Sequence, residues 1–214
     1  MSIAIPPLTR VPVAERGLTI ADFLVPVRIG ERVSPFLRNL GLVVAGALLI
    51  YLTARVSFTL PGSPVPYTMQ TFGILLVGGS LGLRRGGIST LLYVLLGVVG
   101  LPFFAEGKGG ISVIWGATGG YLLGFVIAAA LVGRLAELGW DRRFGGAVGA
   151  TLLGTVVVYA FGVPWLAVST GMSANAAIAN GLTPFLLWDA AKLLAVSAVF
   201  PAAWWVVGHR PGER

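Results

Sequence analysis

Six apolar stretches, separated by short connections, occupy nearly all of the sequence from Leu37 to Val207, and that pattern leaves few folds open. They run from about Leu37 to Val56, Tyr67 to Leu83, Gly87 to Leu101, Trp115 to Leu138, Phe144 to Val168 and Pro184 to Val207. The longer ones match the roughly 20 residues that an α-helix needs to cross a hydrocarbon core about 30 Å thick. The second and third are short and interrupted by glycine. A chain of 214 residues with 56% hydrophobic and 11% charged residues, and a mean hydropathy of +0.89, does not belong in water. The expectation is an all-α integral membrane protein: a bundle of six transmembrane helices over 38–208, a cytoplasmic extension over 1–37 and a cytoplasmic tail over 209–214.

Charge orients the bundle. With both termini cytoplasmic, only Arg55, Lys108 and Lys192 of the 15 basic residues fall outside the inner segments, as the positive-inside rule requires. The extension lacks the uninterrupted apolar core of a signal peptide, and one short amphipathic helix is expected near Leu18 to Val25. Basic residues form no run interleaved with aromatics, so nucleic acid is not an expected partner.

Most reaction chemistry is excluded. There is no cysteine, and His209 is the single histidine, so thiolate nucleophiles, Cys- or His-based metal sites and triads drop out. Gly107-Lys108-Gly109 lacks the spacing of a phosphate loop, and Gly109 stands where Ser or Thr would hold magnesium. The chain cannot hydrolyse ATP by itself; neither an enzyme nor a bound cofactor is expected.

What the sequence offers instead is a polar pair inside an apolar helix. Asp189 and Lys192 stand three residues apart in the last stretch, on one helix face, with Thr183 and Pro184 suited to the helix start. An ionisable pair at that depth costs several kcal/mol unless it faces a bundle interior or a wet cavity. It is either a ligand site or an ion pair that only fixes packing. Lys108, flanked by Gly107, Gly109 and Gly110, sits in a loop able to curl its N–H groups around an anion, or to leave the lysine solvated. Arg55 can snorkel to headgroups. The connection with Pro61, Pro64 and Pro66 is stiff, as a lid or as a plain connector. Gln70 faces either a cavity or a neighbouring helix. Small residues repeat at four-residue spacing: Gly41 and Ala45; Gly116, Gly120 and Gly124; Gly146, Ala150 and Gly154. Each set makes a smooth strip for a close helix, and the first could meet a separate subunit.

The runs SPVPYTMQTFGILLVGG, GLRRGGISTLLYVLLGVVGLPFF, GKGGISVIWGATGGYLLGF and LLWDAAK, in order across about Leu40 to Ala203, resemble the BioY family. These are biotin-specific S components of energy-coupling-factor (ECF) transporters. The resemblance implies the S-component fold and high-affinity biotin capture in the bacterial cytoplasmic membrane. It also implies two kinds of partner: a transmembrane coupling protein, and two ABC-type ATPase subunits that hydrolyse the ATP. It assigns Lys108, Gly109, Gly110, Asp189 and Lys192 to the biotin pocket, with Tyr121 and Gln70 beside them, and Gly41 and Ala45 to the coupling-subunit interface. Aromatic walls from Phe104, Trp115, Tyr121 and Trp188 suit the ligand's apolar rings. On that chemistry Asp189 accepts ureido N–H groups, Lys192 donates to the ureido carbonyl and Lys108 meets the carboxylate. Two residues depart from the family pattern: Ala117 replaces a proline, and Glu106 replaces a glycine and brings an anion near Lys108. The rival readings are an S component for another vitamin and a stand-alone facilitator for a small organic anion.

Overall fold

The computed structural model describes residues 18–24, 34–60 and 62–208. Most of the expected extension, the tail 209–214 and Pro61 lie outside these residues.

Helix formation follows local chemistry. Helix α1 (Ile20–Leu24) begins at Thr19, whose N–H and hydroxyl both donate to Asp22 at 3.1 and 2.9 Å. It occupies the place of the expected amphipathic segment, with Ile20 and Ala21 buried. Helix α2 (Pro35–Arg55) is capped by Ser34 and opens with Pro35, a first-turn position where a missing N–H is harmless. Its 21 residues span about 31 Å. A two-residue antiparallel ribbon, β1 (Ser57–Phe58) and β2 (Tyr67–Thr68), closes the proline-rich connection, pairing Ser57 with Thr68 and Phe58 with Tyr67.

Helix α3 (Gln70–Val98) covers both the second and third apolar stretches. It is continuous only in name, because Gly82 has φ 83° and ψ 179° and the chain doubles back there. A Cβ on Gly86 would stand 2.9 Å from Gly78 Cα, although eight residues of straight helix would separate them by about 12 Å. Gln70 likewise donates to the Tyr93 hydroxyl at 2.6 Å across the two arms, 70–81 and 83–98. Glu137 caps the second arm by accepting the Leu83 N–H at 2.9 Å. Glycine is required at 82 twice over: φ is left-handed, and a Cβ would meet Glu137 and Thr19 at 2.7 and 2.9 Å.

The short helix α4 (Ser112–Trp115) then leads to α5 (Gly119–Glu137), α6 (Phe144–Thr170), α7 (Ala174–Gly181) and α8 (Leu186–Gly208). Among the described residues five helical runs are long and apolar enough to cross a membrane: α2, α3, α5, α6 and the α7–α8 run. This is a multi-pass, mostly helical membrane protein. Helix α5 is the central one, packed on α3 to one side and α6 to the other, with Ala128 and Ala129 fully buried. Two of the glycine strips serve this packing: Gly124 lies against Val158 Cα and Gly154 against Val132 and Leu75. The α2 strip differs, since Gly41 has nothing within 4 Å of its would-be Cβ and Ala45 is exposed. Thr183 does not cap α8 as expected. It lies in a 3-10 turn (Thr183–Phe185) before α8, and its hydroxyl donates to Ile178 O.

The bundle thus has two ends, one carrying the β1–β2 ribbon and the other the Gly82 reversal. At the hairpin end Asp22 accepts a bidentate pair of hydrogen bonds from Arg85, both at 2.8 Å, and a third from Arg38 at 2.9 Å. Burial alone would raise its carboxyl, but Arg85 and Arg38 hold it well below the usual carboxylate range. Asp141 at the same end shows the opposite balance. Burial pushes it up to about 6, although Trp204 donates to it at 2.6 Å and Arg142 lies nearby.

Candidate binding site

At the ribbon end the helices part around a cavity of about 230 Å³. Its polar groups come from β2 (Thr68), the first turn of α3 (Gln70, Thr71), the loop carrying Lys108, Thr118 just before α5, α5 (Tyr121), α6 (Tyr159) and α8 (Asp189, Lys192). Its walls are mostly apolar, with Phe104, Leu122, Phe125, Val158 and Phe185 among them, and the proline-rich connection covers it through Pro64, Val65 and Pro66.

The i, i+3 spacing on α8 does bring Asp189 and Lys192 into an ion pair, each residue only 6% exposed. The pair is embedded in further bonds. Lys192 Nζ donates to Thr68 O at 2.8 Å and Thr71 Oγ1 at 2.7 Å, and Thr71 in turn donates to Asp189 Oδ1 at 3.3 Å. Tyr159 donates to Asp189 Oδ2. An ammonium has three protons, and Thr68, Thr71 and Asp189 use all of them. Lys192, saturated in this way, holds Asp189 neutralised and in place. Asp189 is different: a carboxylate oxygen accepts about two bonds, and among the described residues Oδ2 accepts only from Tyr159. That leaves an acceptor position on a charged oxygen beside an apolar cavity.

Of the aromatic rings packed around this end, Tyr121, Tyr159 and Phe185 line the cavity, while Tyr67 and Phe58 back it from outside the lining. Tyr67 stacks between Phe58 and Phe185 at 5.2 and 4.4 Å, and Tyr121 meets Tyr159 edge-on at 6.3 Å. The Tyr121 hydroxyl donates to Gly181 O at 2.8 Å, tying α5 to the end of α7. Gln70 also lines the cavity and is held by its bond to Tyr93.

Lys108 stands at the mouth. Its side chain is 62% exposed and pairs with Glu106 at 2.7 Å. Glu106 has a left-handed φ of 59°, and it is fastened to the ribbon by Ser57, which accepts its N–H at 3.0 Å, and by Thr59, which donates to its carboxylate. Lys108 and Thr59 together keep the Glu106 carboxyl below its ordinary value.

Of the residues expected to line a pocket, Gln70, Phe104, Lys108, Tyr121, Asp189 and Lys192 do converge here. Trp115 and Trp188 do not. Trp115 is 68% exposed and leans on Trp165, carried outward by the four-residue α4. Trp188 is 43% exposed, because one residue along a helix is a turn of about 100° away from Asp189. Gly109 and Gly110 shape the loop rather than line the cavity. A Cβ on Gly109 would strike the Leu101 and Gly100 carbonyls, and Gly110, at φ 97°, donates to Gly97 O at 2.7 Å. Thr71, Tyr159, Phe125 and Phe185 were not expected. A lone hydroxyl-bearing ring in the middle of the fifth apolar stretch was the one available signal for Tyr159.

Against known proteins, the profile of the BioY family matches residues 24–209. The biotin transporter BioY of Thermotoga maritima is 35% identical over 158 residues, 74% of this chain and 92% of that protein. The probable biotin transporter BioY of Pyrococcus horikoshii is 37% identical over 165 residues, 77% and 94% of the respective chains. A crystal structure of the S-component for biotin from an ECF-type ABC transporter superposes with a TM-score of 0.72, over 79% of this chain and 92% of that one, at 24% identity. That last likeness is one of fold.

Proposed function

Since this chain belongs to the BioY family, we propose that it is the biotin-binding membrane subunit of an ECF-type transporter and that the cavity at the ribbon end is its biotin site. The observation that carries the assignment is the open acceptor position on Asp189 Oδ2 inside a mostly apolar cavity. Biotin carries a ureido group with two N–H donors, an apolar ring and chain, and a carboxylate. One ureido N–H completes the Asp189 shell, and a charge-assisted bond of this kind is worth about 1.5 to 3 kcal/mol. Lys192 acts by fixing that carboxylate. The second amide proton of Gln70 is a donor available to the ureido carbonyl, and the rings of Phe104, Tyr121 and Phe185 cover the thiophane. Lys108 meets the ligand carboxylate at the mouth, exchanging Glu106 for it. Gly109 and Gly110 give that loop its shape.

The membrane arrangement follows the same reading. Counting the two arms of α3 separately gives six passes, with the start of α2 and the end of α8 on the hairpin side. Arg38, Arg84, Arg85, Arg134, Arg142 and Arg143 cluster there, which supports a cytoplasmic assignment in a bacterial inner membrane. The outward strip of Gly41 and Ala45 on α2 suits close approach by a transmembrane coupling protein, with two ABC-type ATPase subunits supplying ATP hydrolysis to the complex. Biotin is the transported substrate, and the chain itself holds no cofactor in this scheme.

Equilibrium binding of labelled biotin to the purified chain tests the assignment, with unlabelled biotin, thiamine and riboflavin as competitors. Displacement by biotin alone is expected. Equal displacement by another vitamin would reassign the substrate. Uptake into liposomes by the chain alone, without ATPase subunits, would favour a facilitator.

A further inference from the structure

A second concave surface lies at the hairpin end, about as far from the biotin cavity as the bundle permits. It is an open groove of about 800 Å³ between α1, α2, α3 and α5. Among the described residues four arginines line it, Arg38, Arg84, Arg85 and Arg134, against two carboxylates, Asp22 and Glu137, so the described lining carries a net charge of +2. Three of the arginines are committed to those carboxylates: Arg38 and Arg85 to Asp22, Arg134 to Glu137 at 3.2 Å. Arg84 is exposed and none of the observed ion pairs includes it. Beside these cations the groove presents large apolar side chains to the outside: Phe36 is 73% exposed, Ile88 53% and Leu40 46%.

A basic floor with an apolar rim, at the level where helices end, has the chemistry of the headgroup boundary. A protein surface facing only water has no use for Phe36 and Ile88 beside Arg84, and one facing only acyl chains cannot hold the net charge. We propose that this groove is a binding site for an anionic phospholipid, whose phosphate pairs with Arg84 and Arg134 while its chains lie over Phe36, Leu40 and Ile88. The Asp22 network gives the site its rigidity, because Arg85 and Arg38 are held in place before the lipid arrives. Phosphate chemistry alone does not require a lipid; the apolar rim does. The leaflet involved, the cytoplasmic one, rests on the orientation proposed above.

The test uses the full chain in nanodiscs of phosphatidylcholine, with and without phosphatidylglycerol, and native mass spectrometry to count retained lipids. Wild type is expected to retain phosphatidylglycerol over phosphatidylcholine. Arg84→Gln, at a side chain in none of the ion pairs among the described residues, is expected to weaken that preference about fivefold, and Arg84→Gln with Arg134→Gln by about 25-fold. Equal retention of phosphatidylglycerol by wild type and the double variant overturns the site. Displacement of the lipid by millimolar inorganic phosphate also overturns it, in favour of a free-anion site. Labelled biotin is measured on the same samples. Loss of the lipid preference with unchanged biotin binding supports a site separate from the cavity. Absence of biotin binding in wild type counts against the transport reading and leaves the lipid result standing.

Discussion

The protein contains two lysine–carboxylate pairs of almost identical covalent makeup at one end of the bundle, and they do different physical work. Asp189 and Lys192 are nearly sealed, with side chains 7% and 6% exposed, and every proton of the ammonium is used. Glu106 and Lys108 are 29% and 62% exposed and are joined at 2.7 Å where the cavity opens. In the first pair, removing water makes each remaining contact strong and each missing one costly. In the second, water and salt screen the attraction, so the partners separate and exchange readily. A buried pair can hold one geometry against a ligand, whereas an exposed pair can change partners to let a ligand in.

The largest effect expected from this contrast is at Asp189. Asp189→Asn removes the charged acceptor for the ureido N–H, a bond worth about 1.5 to 3 kcal/mol, so biotin affinity should fall by up to about a hundredfold in equilibrium binding, while the buried ammonium left without its counter-charge lowers thermal stability. Affinity within threefold of wild type would remove the site assignment. Adding Lys192→Met to that variant should restore thermal stability but not biotin binding. Recovery of both would reduce the pair to a packing device.

Tyr159→Phe deletes one bond to the same carboxylate without touching the charge pair. Because that bond is made without the ligand as well, its loss falls mainly on stability, and biotin affinity is expected to drop by about tenfold through a carboxylate held less firmly. An unchanged dissociation constant would mean that the phenol is only a wall of the cavity.

The mouth should be far more tolerant. Lys108→Gln is expected to cost less than about fivefold, and the difference from wild type should shrink as salt is added. A loss as large as that of Asp189→Asn would break the contrast between the two pairs.

Smallest of all is the expected pH response of the mouth. The Glu106 carboxyl lies below its ordinary value because Lys108 and Thr59 favour the charged form. Its contacts are fully present above the ordinary carboxylate pKa of about 4.3 and are lost as pH falls through the lowered value. Because biotin takes the place of Glu106 on Lys108, the bound state does not depend on this contact, and the biotin dissociation rate should stay flat from about pH 8 to about pH 5. A rise between about pH 7 and pH 5 would require a different latch.

Much of the fold was legible because lipid imposes few choices on a chain. The apolar stretches, the short helix at Ile20–Leu24 and the helix-face pairing of Asp189 with Lys192 all follow from spacing that any observer of the sequence can count. The second and third stretches were separable, but only the structure shows that Gly82 turns them back on each other, because a left-handed φ is a property of the chain in place. The site was less legible. Trp115 and Trp188 have the right chemistry for a biotin wall and the wrong side of their helices, whereas Tyr159 and Thr71 enter the network from helices 30 or more residues away in sequence.

The sequence by itself determined that this chain lives in a membrane, that charge divides its two ends, and that one buried carboxylate and one ammonium share a helix face. These follow from transfer free energies and helical periodicity, which are local and additive. Only the tertiary structure decided that Lys192 spends all its protons on Thr68, Thr71 and Asp189 while Asp189 keeps an acceptor open. Hydrogen-bond saturation depends on which helices meet at that depth, and no periodicity within one helix encodes it.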